Sequence, residues 1–130
     1  MSKAYDIVKA HYAASDSGDL EGMLAPLAND CAWTEAAGFP CAGTYIGPEE
    51  VKKNVFFALG DLFDNFTFTL DQLLDAGTNV VGVGRYSATA KSTGKSFNAR
   101  VVHVWEVENG KVVKFEQFAD TKLVADALQA

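Results

Sequence analysis

Two residues in this chain have the chemistry of an acid–base pair. "VVHVWEV", residues 101–107, is a valine-rich run broken by His103. "CAWTEA", residues 31–36, carries Glu35 two places after Trp33. A carboxylate desolvated beside an indole has its pKa raised, which makes it a better base near neutral pH. A neutral imidazole can donate one hydrogen bond to a carbonyl oxygen as that oxygen becomes an enolate. If both groups line one cavity, they fit proton abstraction next to a carbonyl, as in isomerisation or an aldol-type cyclisation. That chemistry needs no metal and no organic cofactor. A plainer reading stays open: His103 as a core histidine with a hydrogen-bond partner, and Glu35 as an exposed carboxylate at a strand end.

Period-two alternation decides which side chains point the same way. In residues 97–107 one face holds Phe97, Ala99, Val101, His103, Trp105 and Val107, apolar except for the histidine. In "KVVKFEQFA" the more apolar face is Val113, Phe115, Gln117 and Ala119. In "VVGVGRYSATAK" Gly82, Gly84, Tyr86 and Ala88 share a side, and Glu35 shares one with Cys31 and Trp33. The inward set is therefore apolar with four sparse polar members, Glu35, Tyr86, His103 and Gln117. A small-molecule cavity has that composition.

The elements that must position these groups come in a telling order. "SKAYDIVKAHYAAS" has helical spacing, with His11 or Tyr12 on its inner stripe. "DSGD" breaks it, Asp19 caps a short helix in "LEGMLAPLA", and Pro26 bends or shortens that helix. "AGFPCAG" is a loop. "GPEEVKKNVFFALGDLF" is the strongest helix, with Pro48, Glu49 and Glu50 in its first turn. Val51, Val55, Leu59 and Leu62 line one side of it, with Phe56 and Phe63 beside them. From about residue 65 the chain reads as strands joined by "AGTN", "STGK" and "ENG" turns, closed by a short helix that Asp120 caps. Helices followed by a strand meander predict an α+β fold, with helices across the open side of a strongly curved antiparallel sheet.

Length and charge narrow the function classes. The 130 residues suit one domain, and a net charge of −6, from 17 acidic and 11 basic side chains, argues against nucleic acid and anionic membranes as partners. Cys31 reads as a small core residue and Cys41, after Pro40, as a residue at the cavity mouth with no base near it in sequence. No CxxC or Cys/His cluster supports a metal site. The early charges of the N-terminus and the lack of a run near 18 apolar residues predict a cytoplasmic protein with reduced thiols.

Three stretches, "YAASDSGDLEGMLAPLANDCAWTEA", "GTYIGPEEVKKNVFFAL" and "VVHVWEVENGKVVKFEQFADT", together resemble the nuclear-transport-factor-2-like (NTF2-like) superfamily. The ending "NGKVVKFEQFAD" is the most specific and resembles SnoaL-like proteins. The resemblance implies an NTF2-like cone, a single SnoaL-like domain over residues 1–130, and kinship with ketosteroid isomerases and polyketide cyclases. By that likeness Glu35 stands where the isomerases hold their general-base aspartate. His103 stands at their oxyanion-hole aspartic acid, and His11 or Tyr12 near their oxyanion-hole tyrosine. Asp120, in "FADT", resembles an aspartate of the cyclases, though alternation puts it on the side of Glu116 and Phe118. The candidate catalytic set is Glu35, His103 and Asp120. The candidate substrate-binding set is His11, Tyr12, Trp33, Tyr45, Phe56, Leu59, Tyr86, Val101, Trp105, Phe115 and Gln117. The expected function is a cofactor-free isomerase or cyclase acting on an apolar cyclic or aromatic molecule. The alternatives are a non-catalytic binding domain for such a ligand, or a dimerising interaction module. The expected protein partner is a second copy, paired through Val81, Val83, Val102 and Val104 on the outer sheet face.

Overall fold

The computed structural model describes residues 2–130. Helix α1 (Lys3–Asp16) starts at Ser2, whose hydroxyl accepts the Tyr5 N–H, and buries Ala4, Val8, His11 and Tyr12 along one stripe. Asp19 caps α2 (Leu20–Leu24) by accepting the Gly22 N–H. Pro26 follows and β1 (Leu27–Glu35) begins at once, earlier than alternation alone suggests. A short strand, β2 (Gly43–Ile46), pairs with β1 where the sequence reads as loop and helix approach.

The third helical region is interrupted. α3 (Gly47–Val51) passes through a π-helical turn at Lys52–Phe56 into α4 (Phe57–Leu62). Val51, Val55 and Leu59 are buried as the spacing predicts, but Leu62 is 37% exposed. Phe63 is no longer helical, because it opens β3 (Phe63–Ala76) and buries its ring from there. Then come β4 (Asn79–Ala90), β5 (Ser96–Glu108), β6 (Lys111–Ala119) and α5 (Thr121–Leu128).

All six strands form one open sheet in the order β2-β1-β6-β5-β4-β3. Every neighbouring pair is antiparallel except β1 and β6, which run parallel, so the sheet is mixed. The reason is topological: the chain leaves β2, crosses through α3 and α4 to the far edge, and meanders back until β6 meets β1. The hairpin before β6 turns through Asn109 (φ 52°) and Gly110 (φ 77°), both left-handed as a primed turn requires.

Strict alternation holds through β4 and β5, where every second residue is buried. In β6 it slips once. Val107 pairs with Val112 while Glu106 pairs with Lys114, which leaves Val113 as an extra, bulged residue. Val112 therefore points in and Val113 does not, which corrects the inward set expected at the start of that strand. Phe115 and Gln117 are buried as expected.

Candidate active site

A cavity of about 300 Å³ lies between the helices and the inner face of the sheet. Glu35, His103, Tyr86, Tyr12 and His11 all line it, with Ser15 and Gly18 at the end of α1 and mostly apolar walls that include Trp33, Val55, Phe56, Leu59, Phe66, Phe68 and Phe115. Strand register explains the meeting. His103 in β5 lies directly opposite Gly82 in β4 and Gln117 in β6. A Cβ at Gly82 would collide with the Tyr12 hydroxyl, so the missing side chain is what lets α1 lower Tyr12 onto the sheet. Phe68 stacks on the His103 ring at 4.7 Å between centroids and on the Tyr12 ring at 5.2 Å, holding both planes.

Both nitrogens of His103 are occupied. Nδ1 is 2.7 Å from the Tyr12 hydroxyl and Nε2 is 2.7 Å from the Tyr86 hydroxyl. The Trp105 indole N–H donates to the Tyr12 hydroxyl at 2.9 Å, and the Gln117 amide donates to the Tyr86 hydroxyl at 2.9 Å. Desolvation by burial lowers the imidazole pKa to about 3 and raises both phenols, so the ring is neutral and the hydroxyls keep their protons.

The protons in this chain can be counted. Indole and amide N–H groups only donate, so each tyrosine retains its own hydroxyl proton to give. A neutral imidazole accepts at one nitrogen and donates from the other. One tyrosine therefore donates to the ring, and the other accepts from it and keeps its proton in reserve. That reserve lies on Tyr86 when Nε2 carries the ring proton and on Tyr12 when Nδ1 does. With both nitrogens bonded, as the plainer reading of a hydrogen-bonded histidine expects, His103 has no free N–H for the cavity, and the unused donor is a tyrosine hydroxyl.

Glu35 is 2% exposed and receives three donors. The Trp33 indole reaches Oε2 at 3.0 Å, while the Gln117 amide and the Cys41 thiol reach Oε1 at 3.1 and 3.4 Å. Desolvation outweighs these bonds and pushes the carboxyl pKa up to about 7. Oε2 accepts one bond within the protein and retains a lone pair. Gln117 is the link between the two halves of the site. Its amide nitrogen bridges Glu35 and Tyr86, and its oxygen is fixed by the Ala36 N–H at 3.1 Å.

The remaining candidates divide. His11 and Tyr12 both line the cavity, so the choice left open between them dissolves. Trp105, Gln117 and Val101 are buried behind the wall, the first two as partners of cavity groups. Tyr45 is outside the lining; its hydroxyl donates to the Cys41 carbonyl at 2.9 Å and pins that loop. Asp120 is exposed, lies away from the cavity and makes no side-chain cap on α5, since the outward phase of β6 carries it off the inner face. Cys41 is buried with Glu35 beside it, a base the sequence spacing concealed, and burial together with that carboxylate raises the thiol pKa. The thiol is thus a hydrogen-bond donor to Glu35 rather than a nucleophile. Val55, Phe66 and Phe68 were missed as lining, although the helical stripe marks Val55 and strand alternation marks the two phenylalanines. Among the described residues no group of three or more His, Cys, Asp or Glu stands ready to hold a metal ion, and no helix is long and apolar enough to cross a membrane.

The family model of the SnoaL-like domain matches residues 8–115. An NTF2-like protein from Burkholderia thailandensis E264 is 57% identical, with each chain covered over 100% and a TM-score of 0.98. TerC, co-crystallised with polyporic acid, shares the fold at 22% identity and a TM-score of 0.88, over 99% of this chain and 100% of that one. A protein of ketosteroid-isomerase-like fold from Catenulispora acidiphila DSM 44928, in complex with trimethylamine, shares it at 16% identity and a TM-score of 0.80, over 93% and 90% of the two chains. No curated protein matches the chain.

Proposed function

The chain belongs to the SnoaL-like domain family, and from that premise we propose that its cavity binds an apolar cyclic carbonyl compound and abstracts a proton next to the carbonyl. One observation carries this reading: a base and a proton donor line the same cavity, tied to a fixed spacing by the Gln117 amide. The Glu35 Oε2 lone pair takes the proton. As the C–H bond breaks, its electron pair moves toward the carbonyl oxygen, and the reserve tyrosine hydroxyl donates to the enolate oxygen that forms. His103 stays neutral and acts through the tyrosines, as a positioning residue. Return of the proton from Glu35 to another carbon completes an isomerisation; in a cyclisation the enolate carbon attacks a second carbonyl, whose π pair moves to its oxygen, and that alkoxide takes the proton back from Glu35.

TerC, which has the same fold, co-crystallises with polyporic acid, and this supports a small-molecule occupant. The direct test is exchange of ketone α-hydrogens with deuterated water, followed by NMR on cyclic ketones. Wild-type protein is expected to accelerate exchange, and Glu35→Gln to lower the rate roughly 10²–10⁴-fold while still binding the ketone. Ketones that bind wild type without exchange above the solvent rate would overturn catalysis and leave a ligand-binding domain.

A further inference from the structure

His11 stands in the cavity wall outside the Tyr12–His103–Tyr86 chain and has an unused nitrogen. Its Nδ1 is 2.9 Å from the Met23 carbonyl oxygen. A carbonyl only accepts, so Nδ1 carries the proton and Nε2 of the neutral ring is a bare lone pair. The ring is 5% exposed, and its only hydrogen bond within the described residues is the one at Nδ1. Every fully enclosed side-chain nitrogen or oxygen among the described residues has a partner, so Nε2 must border open space. The open space that this buried ring lines is the cavity. The ring cannot swing away: Trp105 packs edge-on at 4.7 Å between centroids and Tyr12 at 5.4 Å. Burial also lowers its pKa to about 4, so it is neutral at physiological pH.

Besides the Glu35 base and the Ser15 side chain, the wall thus presents a fixed neutral acceptor on His11 and the reserve hydroxyl donor on Tyr12 or Tyr86. An occupant that displaces water from the acceptor and leaves it unpaired forfeits stability, and the smallest uncharged oxygen donor that a ring compound can carry to it is a hydroxyl group. The volume of about 300 Å³ is at the small end for ligand pockets and suits a compact fused-ring molecule. We propose that the ligand of this cavity is an uncharged ring compound bearing both a hydroxyl and a carbonyl group. Its hydroxyl donates to His11 Nε2 and its carbonyl accepts the reserve tyrosine proton. This rests on the carbonyl-binding reading above and adds the hydroxyl as the specificity element.

The probes are α-tetralone, its ring-hydroxylated isomers and their methyl ethers, with affinity measured by calorimetry. The best hydroxytetralone is expected to bind wild type roughly three- to tenfold more tightly than α-tetralone and than its own methyl ether. His11→Asn keeps a donor for the Met23 carbonyl but has nothing at the Nε2 position. It should erase that preference, so that the hydroxytetralone, its methyl ether and α-tetralone bind this variant alike. His11→Gln, whose amide oxygen reaches the Nε2 position, should restore part of it. His11→Phe replaces the Asn variant should that one not fold. Equal affinity for the hydroxyl, deoxy and methyl-ether ketones in wild type, a hydroxyl preference that survives removal of the acceptor, or no tetralone bound at all would each overturn the inference. α-Hydrogen exchange on the same ketones is a separate readout. A hydroxyl preference without exchange sinks proton abstraction and leaves the His11 subsite standing; exchange without the preference does the reverse.

Discussion

At the scale of single residues, the site has one ionisation near neutrality. Glu35 titrates at about 7, and His103 stays neutral far below that at about 3. The exchange rate should therefore rise as pH passes through 7, level off above it, and show no limb from the imidazole. A bell with a histidine-like limb near pH 6.5 would contradict the neutral ring. The proton count makes a second prediction. In Tyr12→Phe the ring can put its proton on Nε2 and leave the Tyr86 hydroxyl free; in Tyr86→Phe the mirror arrangement serves. Each single variant should therefore keep most of the activity. The double variant loses the donor altogether and should fall roughly 10²–10³-fold, a non-additivity that single-turnover exchange rates would reveal. Glu35 and His103 were legible from alternation because each sits within one strand. The tyrosine and glutamine partners lie 91, 17 and 82 residues away along the chain, and no local pattern encodes such pairings.

At the scale of elements, β4 and β5 were read correctly because each buries one face and leaves the other at least partly exposed, without interruption. β2 has only four residues, and none of them is buried, so it carried no such signal. The π turn was hidden because helical spacing places Val51, Val55 and Leu59 inward with or without it. Gly82 lies in register with His103, and its missing side chain makes room for α1. Gly82→Ala should destabilise the fold by about 1–3 kcal/mol, because the methyl group enters the space of the Tyr12 hydroxyl. Gly60→Ala, in α4 with nothing within 4 Å of the new carbon, should instead stabilise by about 0.5–1 kcal/mol. Thermal midpoints of the two variants check the contrast.

At the scale of the whole molecule, the buried titratable groups set how stability depends on pH. Glu35 binds its proton more tightly folded, at about 7 against 4.5, so its contribution is complete below 4.5 and is lost as pH rises through 7. His11 and His103 do the opposite, at about 4 and about 3 against 6.5, so theirs is complete above 6.5 and is lost as pH falls toward those values. Near pH 5.5, unfolding takes up two protons on the imidazoles and releases one from the carboxyl, a net uptake of one. Stability should therefore fall as pH falls, by about 1.4 kcal/mol per pH unit. Glu35→Gln removes the release and should roughly double that slope. Denaturant midpoints between pH 4.5 and 6.5 measure both; a slope unchanged by the substitution would show that Glu35 is already ionised there.

The amino-acid order alone was enough for the α+β class and the inward faces of β4 and β5; it put forward Glu35 and His103 as candidates, and only the tertiary structure brought them to one cavity. Periodicity and composition are local, and burying one face of a twisted sheet leaves little freedom in which side chains point in. The long-range arrangement came from packing. The parallel β1–β6 pair, the descent of Tyr12 over Gly82 and the Gln117 bridge all join segments far apart in the chain. So does the identity of the proton donor. A hydrogen-bond chain assigns its protons only once every neighbour is in place, and here that assignment moves the free donor from the histidine to a tyrosine.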